Sequence, residues 1–171
     1  MAGLQAEDLF ARLEHFGVRY VLIGGMAAVL HGSPLPTLDI DICPAPDREN
    51  LERLAALLTD LDARLRSASD PEGVPFPHHA AILSQAELLN LTTRLGDIDL
   101  ALRPAGIAGF AELAPNAIPM TISGVTIHVA ALEDVIRSKE AANRPKDLRS
   151  LPVLRQLLEA IRKQSEVDRL R

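Results

Sequence analysis

The sequence predicts a mixed α/β fold, with a mixed β-sheet flanked by helices and a helical C-terminal cap. Three observations favour this class. Residues 18–43 have the pattern of a strand, a glycine turn, a short helix and a second strand. The stretches 90–102 and 118–130 alternate as hairpins do, and the chain from residue 132 onward is helical in pattern. Helices that alternate with strands and hairpins are typical of a layered α/β domain.

The N-terminal half contains the best-defined elements. Apolar residues recur every three or four positions in the first helix, and alternate with acidic residues in the second strand. Asp47 is the residue type that caps a helix by accepting a hydrogen bond from a free backbone N–H. The predicted elements are a helix over 5–16, a strand over 18–23, a helix to about residue 30, a strand over 38–43 and a helix after Asp47.

The second half is predicted with shorter elements. They are a strand over 63–68, a loop over 70–79, a helix over 84–89, a hairpin of 90–93 with 97–102, a helical turn over 107–113, a hairpin of 118–123 with 125–130, and helices over 133–144 and 151–164. Pro145 is expected to break or restart the helical segment. We expect residues 1–131 to form the core and residues 132–171 a helical segment packed on it.

The second strand carries two carboxylates on one face. Side chains alternate along a strand, so Asp39 and Asp41 point one way and the apolar residues between and around them point the other. Carboxylates about 6.6 Å apart on one face repel each other unless a cation lies between them. Because oxygen ligands of this kind favour Mg²⁺ or Mn²⁺, the strand is a candidate metal site.

Gly24 and Gly25 form the other half of the candidate site. Glycine allows a sharp turn and a close approach of the backbone to a ligand, and the helix that follows presents free N–H groups to an anion. A phosphate-binding turn beside metal-binding carboxylates is the arrangement needed for nucleotidyl transfer.

These residues resemble a known family. Gly24-Gly25 followed by Asp39-Ile40-Asp41-Ile42 matches the signature of the DNA polymerase β-like nucleotidyltransferase superfamily, and the chain is similar to its small AbiEii-like abortive-infection toxins. The resemblance implies the nucleotidyltransferase fold and transfer of an NMP from an NTP such as ATP. It also implies a third carboxylate on a later strand, which Asp99 supplies.

The same resemblance implies roles for further residues. Asp39, Asp41 and Asp99 are the expected catalytic metal ligands, with Asp99 also the base that takes the proton of the attacking hydroxyl. Gly24, Gly25, Met26 and Lys139 are the expected nucleotide-binding residues. Arg144 and Lys146 are expected near the acceptor, because a continuous helix would place Arg144 about 140° from Lys139.

One departure from the family concerns an arginine. Many relatives have an arginine just before the Thr-x-Asp-x-Asp segment, where this chain has Leu35-Pro36 before Thr37. If that arginine binds phosphate in the relatives, another cation must replace it here or the affinity for nucleotide is lower.

Other polar residues have simpler interpretations. Asp97 lies next to a turn and is expected to be exposed. The adjacent His78 and His79 are expected to lie in an exposed loop rather than bind metal. His31 is expected to pack at a helix end, and Cys43 to be buried in its strand.

Composition limits the classes of function. Aromatic residues make up 3% of the chain and Trp is absent, so stacking on aromatic side chains is not the main way of binding bases. The single cysteine excludes an internal disulfide. No segment has the pattern of a signal peptide or a membrane span, so we expect a cytoplasmic protein with no membrane partner.

Charge is distributed unevenly along the chain. Residues 1–136 hold 8 basic and 18 acidic side chains, whereas residues 137–171 hold 10 basic and 5 acidic ones. A basic end suggests contact with phosphate, either of a nucleotide or of a nucleic acid, although a solvated helix face explains it equally well.

Three functions remain open from the sequence. The first is a toxin-like nucleotidyltransferase that acts on RNA, by resemblance tRNA, and is neutralised by an antitoxin protein. The second is a minimal nucleotidyltransferase that modifies a protein or a small molecule such as an antibiotic. The third is a non-catalytic nucleotide-binding module, which the complete set of three carboxylates argues against.

Overall fold

The computed structural model describes residues 3–170 of the chain. Its strands are β1 (Tyr20–Ile23), β2 (Asp39–Pro44), β3 (Arg64–Leu65), β4 (Leu88–Thr93), β5 (Gly96–Ala101), β6 (Ile118–Ile122) and β7 (Val125–Val129). Its helices are α1 (Ala6–His15), α2 (Gly24–Leu30), α3 (Arg48–Asp60), α4 (Ala80–Leu83), α5 (Phe110–Leu113), α6 (Leu132–Ala142) and α7 (Pro145–Arg169), with a 3₁₀ turn at Ala114–Asn116. The predicted mixed α/β class is confirmed.

Within residues 3–170, seven strands form one mixed sheet in the order β3-β4-β5-β2-β1-β7-β6. β2 runs antiparallel to β1 and parallel to β5, and β4 pairs antiparallel with β5. The parallel register sets Asp41 opposite Asp99 and Asp39 opposite Asp97. The two acidic strands are therefore neighbours at the centre of the sheet, although 58 positions separate Asp41 from Asp99 in the sequence.

The core is built from aliphatic side chains, as the low aromatic content predicts. In β2, Ile40 and Ile42 are fully buried while Asp39 and Asp41 are half-buried, which is the predicted alternation. Cys43 is also buried, as expected. The Asp47 carboxylate accepts a hydrogen bond from the backbone N–H of Asn50, which confirms the predicted cap of α3.

Helices cover the sheet and extend it at the C-terminal end. α1 packs against β7 and α3, and α2 packs against β2 and α6. α6 in turn packs against α7, so the cap reaches the sheet through α6 and α2. The division of the chain at residue 131 stays a prediction. None of the helices between residues 3 and 170 is both long enough and apolar enough to cross a membrane.

Three predicted boundaries are wrong. The strand predicted over 63–68 is the two-residue β3. No helix forms over 84–89, because α4 ends at Leu83 and residues 88 and 89 belong to β4. Residues 88 and 89 are extended and not helical because they pair with β5, starting with the pair Leu88 and Ala101. The last helix starts at Pro145, not at residue 151, because a proline is well tolerated in a first helical turn.

Candidate active site

The structure brings Asp39, Asp41 and Asp99 together. One carboxylate oxygen from each can be chosen so that all three lie within 4.8 Å of one another. The neighbouring strands β2 and β5 supply them, with Asp41 and Asp99 in register. Among residues 3–170, this is the one group of three or more His, Cys, Asp or Glu side chains close enough to share a metal ion. Three carboxylate oxygens form a set of hard ligands that suits Mg²⁺ or Mn²⁺.

Asp41 is the carboxylate most affected by this arrangement. Burial, together with the negative charges of Asp39 and Asp99, raises its pKa from 3.8 to about 7. Lys146 and the backbone N–H of Gly25 act in the opposite direction, but they do not compensate for the burial. Burial also raises the pKa of Asp99, against the lowering effect of Arg66 and Asn90.

The raised pKa of Asp41 predicts a pH dependence. Because the folded protein binds this proton more tightly than the unfolded chain, the proton stabilises the metal-free protein fully below about pH 3.8, and the benefit is lost as pH rises through about 7. Mg²⁺ needs the ionised carboxylate, so we expect Mg²⁺ affinity to fall as pH drops below 7. Calorimetric titrations with Mg²⁺ between pH 5.5 and 8.5 test this, and an affinity independent of pH over that range would contradict it.

Gly24 and Gly25 lie in close contact with Asp41 of β2 and with Thr37 just before it. A Cβ atom at Gly24 would lie 2.1 Å from Oδ2 of Asp41, and Gly24 has a φ of +66°. A Cβ atom at Gly25 would lie 2.7 Å from the Thr37 hydroxyl oxygen. The Gly25 backbone N–H lies close enough to Asp41 to lower the pKa of that carboxyl. The glycines are therefore needed here for close contact between the turn and the carboxylates, in addition to the predicted contact with a nucleotide.

Arg66 is the main site residue that sequence reasoning missed. It follows β3, and its backbone N–H donates to the carbonyl oxygen of Asn90 in β4, 2.9 Å away. Its guanidinium donates to Asp97 at 2.9 Å and to Asp99, and it lies 3.9 Å from the Asp39 carboxylate. The expectation that Asp97 is exposed is therefore wrong, because Asp97 is half-buried beside this cation.

Asn90 completes the surroundings of Asp99. Its side-chain amide donates to the second carboxylate oxygen of Asp99 at 2.6 Å, and the two residues are directly paired between β4 and β5. Arg66 and Asn90 thus hold one Asp99 oxygen each. The predicted hairpin contained a signal for Asn90, since it pairs with the candidate strand. The sequence holds no comparable signal for Arg66, whose position depends on the pairing of β3 with β4.

Two basic residues of the C-terminal segment, Lys139 and Arg144, meet at Asp147. Its carboxylate is fully buried and contacts Nζ of Lys139 at 3.2 Å and Nε of Arg144 at 2.6 Å. Burial alone would raise the pKa of Asp147, but hydrogen bonds from these two cations hold it below its usual range. The expected 140° separation of Lys139 and Arg144 is wrong, because Asn143 adopts a left-handed conformation that ends α6 and turns the chain.

The candidate residues surround a cleft of about 720 Å³ between the sheet and the cap. The residues that line it include Gly24, Gly25, Asp39, Asp41, Asp99, Lys139, Arg144 and Lys146, with Arg149 as a further cation. Met26 does not line it, and its side chain packs against the core instead. The rim also carries two apolar side chains, Leu38 and Leu88, which are 84% and 54% exposed.

Two groups of polar residues lie away from the site. Toward the C-terminal end, Arg155 pairs with Glu140 at 2.6 Å and Arg162 pairs with Glu133 at 3.1 Å, so part of the basic charge of α7 is used in packing against α6. His78 hydrogen-bonds Thr59 and the Ala63 carbonyl and fastens its loop to the core, and His79 is exposed. His31 binds the Ala130 carbonyl at the end of α2.

Comparison with solved structures identifies the fold. The chain is similar to the lincosamide antibiotic adenylyltransferase LnuA in its lincomycin-bound crystal structure, with a TM-score of 0.58, 15% identity, and coverage of 91% of this chain and 99% of that chain. It is also similar to the solution structure of the antibiotic-resistance factor ANT(2'')-Ia, with a TM-score of 0.53, 17% identity, and coverage of 94% and 91%. No protein-family profile matches the chain. A search of curated proteins also found no match.

Proposed function

We propose that this chain, which has the nucleotidyltransferase fold, uses a divalent metal to transfer an NMP from an NTP to an acceptor hydroxyl. The observation that supports this most strongly is the meeting of Asp39, Asp41 and Asp99 within 4.8 Å, at a cleft that Gly24 and Gly25 also line. The cleft, at about 720 Å³, is within the range that binds small molecules in other proteins.

The three carboxylates would hold the metal. They present oxygen ligands from two rigid neighbouring strands, and their mutual repulsion and the raised pKa of Asp41 are relieved when a cation binds. A bound Mg²⁺ or Mn²⁺ would neutralise the phosphate oxygens of the NTP and make the α-phosphorus a better electrophile.

Asp99 is the candidate base. In the proposed reaction the acceptor oxygen attacks the α-phosphorus, the bond from that phosphorus to the bridging oxygen breaks, and pyrophosphate leaves with the electron pair. The hydroxyl proton passes to Asp99, which Asn90 orients through one carboxylate oxygen; Arg66 holds the other oxygen in the metal-free protein. The burial that raises the pKa of Asp99 makes it a stronger base than an exposed aspartate.

The proposed role of Lys139 follows the sequence-based expectation, and the structure adds a shared ion-pair partner, Asp147. Lys139 lies in the cleft wall, bound to the buried Asp147, and we assign it to the triphosphate through that fixed position. Lys146 is exposed and close enough to Asp41 to lower its pKa, so it too can reach a phosphate beside the metal. Arg144 shares the Asp147 carboxylate with Lys139, which makes Asp147 the positioning residue for both.

Two acceptor classes remain candidates. RNA, by resemblance tRNA, in a toxin neutralised by an antitoxin, is supported by the exposed cations Arg144, Lys146 and Arg149 along the cleft. A small molecule is supported by the exposed apolar side chains of Leu38 and Leu88 on the cleft rim. LnuA is named a lincosamide antibiotic adenylyltransferase, and ANT(2'')-Ia an antibiotic-resistance factor.

A labelling experiment tests the proposed function. The protein is incubated with each α-³²P-labelled NTP and Mg²⁺, together with total cellular RNA, a protein lysate or a small-molecule extract. We expect label in one acceptor fraction, released pyrophosphate in equal amount, and neither product after EDTA is added. Absence of label from all three fractions with every NTP would contradict the proposal. Label in protein, rather than RNA or small molecules, would reject both acceptor classes named above.

A further inference from the structure

A second, polar cleft of about 520 Å³ adjoins two of the three carboxylates, Asp39 and Asp99. It continues the first cleft, because both are lined by Asp39, Asn90, Asp99, Arg144 and Lys146. Gly24, Gly25 and Asp41 line the first cleft alone, and Arg66, Ser67 and Ala68 line the second alone. The second cleft therefore lies on the side of the carboxylates away from the glycine turn. In the sheet order this is the side of β4 and β3, beyond the candidate base Asp99 on β5.

Cations reach this second cleft from both of its walls. Arg66 comes from the end of β3, and Arg144 and Lys146 come from the start of α7. In the metal-free protein these cations are balanced by carboxylates, since Arg66 contacts Asp97 and Asp99, and Arg144 contacts Asp147. A divalent ion bound to Asp39 and Asp99 would add two positive charges and would compete with Arg66 for Asp99.

Neutral donors and the helix itself add to this field. The hydroxyl of Ser67 and the amide of Asn90 also line the cleft. α7 begins at this cleft, and the buried carboxylate of Asp147 in its first turn offsets part of the positive field at its N-terminal end. Two opposed walls of cations around a polar space fit a phosphate group, which accepts charge-assisted hydrogen bonds.

We propose that the second cleft binds a phosphate of the acceptor, so that the acceptor is a molecule whose reacting hydroxyl lies near a phosphate monoester or diester. This rests on the proposed function, which places the NTP beside Gly24 and Gly25 and the acceptor hydroxyl beside Asp99. An acceptor on the far side of Asp99 must enter the second cleft, where Arg66 is the cation closest to Asp99. When a metal engages Asp39 and Asp99, the guanidinium of Arg66 can turn from them to the phosphate.

The same charges disfavour another class of acceptor. With a divalent ion on Asp39 and Asp99, an amino sugar with several ammonium groups would meet that ion and the cations Arg66, Arg144 and Lys146 as like charges, which costs free energy. The proposal thus selects for anionic acceptors within the wider set of hydroxyl compounds.

The test measures binding at the acceptor side with the donor side filled. The full chain is saturated with Mg²⁺ and the α,β-methylene analogue of the NTP that gives the largest Mg²⁺-dependent rise in melting temperature. Adenosine, 5′-AMP and the dinucleotide ApA are then titrated by calorimetry. We expect 5′-AMP or ApA to bind about tenfold more tightly than adenosine, and the difference to shrink as salt increases. Tighter binding of ApA than of AMP indicates a phosphodiester, as in an RNA end, and the reverse indicates a free monoester.

Variants assign the effect to the cleft. Arg66→Gln should remove the preference for phosphate over adenosine, and Lys146→Ala, a change at an exposed residue, should reduce it severalfold. Arg64→Gln is the matched control, since Arg64 lies two residues earlier and pairs with the exposed Asp62. It should keep the preference.

Equal affinity for adenosine and both phosphates, or a preference that survives both Arg66→Gln and Lys146→Ala, would overturn the inference. The initial melting-temperature screen with Mg²⁺ and NTP analogues distinguishes failure of this inference from failure of the proposed function. If no NTP analogue raises the melting temperature in a Mg²⁺-dependent way, the proposed function itself is wrong.

Discussion

Replacing Asp41 by asparagine should abolish nucleotidyl transfer while leaving the metal-free protein at least as stable as the wild type. The amide keeps the volume of the side chain but carries no charge to bind the metal. Loss of a ligand to a metal that stabilises transition-state charge is expected to lower kcat/KM by roughly a thousandfold or more.

The stability effect has the opposite sign to the activity effect. Because folding raises the pKa of Asp41 to about 7, the ionised carboxylate at pH 8 destabilises the folded protein relative to the unfolded chain. Removing that charge should increase the free energy of unfolding by on the order of 4 kcal/mol at most. Chemical denaturation at pH 8 without metal measures this, and the labelling assay measures transfer.

A matched substitution controls for the exchange of aspartate for asparagine. Asp62→Asn changes an exposed residue whose φ of +47° asparagine also tolerates, and it lies outside the group of three carboxylates. It should leave both transfer and stability close to those of the wild type. Transfer by Asp41→Asn at the wild-type rate would show that the three carboxylates are not a catalytic metal site.

Replacing Gly24 by alanine should disrupt the position of the Asp41 carboxylate through a steric clash. The new methyl group would lie 2.1 Å from a carboxylate oxygen of Asp41, at a backbone φ of +66° that L-residues rarely adopt. Either the turn or Asp41 must move, and both belong to the candidate site. We expect a loss of several kcal/mol in the free energy of unfolding and loss of Mg²⁺-dependent NTP binding.

Gly124→Ala separates the two causes. Gly124 has a φ of +83° in the turn between β6 and β7, and nothing lies within 4 Å of the position of its added Cβ atom. This variant should lose about 1–2 kcal/mol from backbone strain alone and should bind Mg²⁺ and NTP normally. If Gly24→Ala and Gly124→Ala lower the melting temperature and the NTP affinity equally, Gly24 matters only for the backbone conformation of its turn.

Much of the fold was predictable because its signals are local. The alternation of Asp39 and Asp41 with Ile40 and Ile42 defines the two faces of β2, and the glycines that begin α2 are equally evident in the sequence. The weak predictions concern short elements. β3 and α4 have too few residues for a period to be recognised, and their limits depend on pairing with other strands.

The candidate site shows the same division. Asp39, Asp41 and Asp99 were identified from the sequence and lie together in the structure, although their roles stay predictions. Lys139 and Arg144 were identified too, but their relation was wrong, because the angle between them assumed one continuous helix. The turn at Asn143 brings both to Asp147, whose burial no pattern in the sequence indicated.

The sequence by itself determined which strand carries the paired carboxylates and which turn precedes it, since side-chain alternation and glycine conformation depend on neighbouring residues alone. Only the tertiary structure decided what surrounds those carboxylates. Arg66 reaches Asp99 because β3 pairs with β4 and β4 with β5, which brings together residues 33 positions apart. Such contacts follow from sheet order and register, and these are set by the packing of the whole chain.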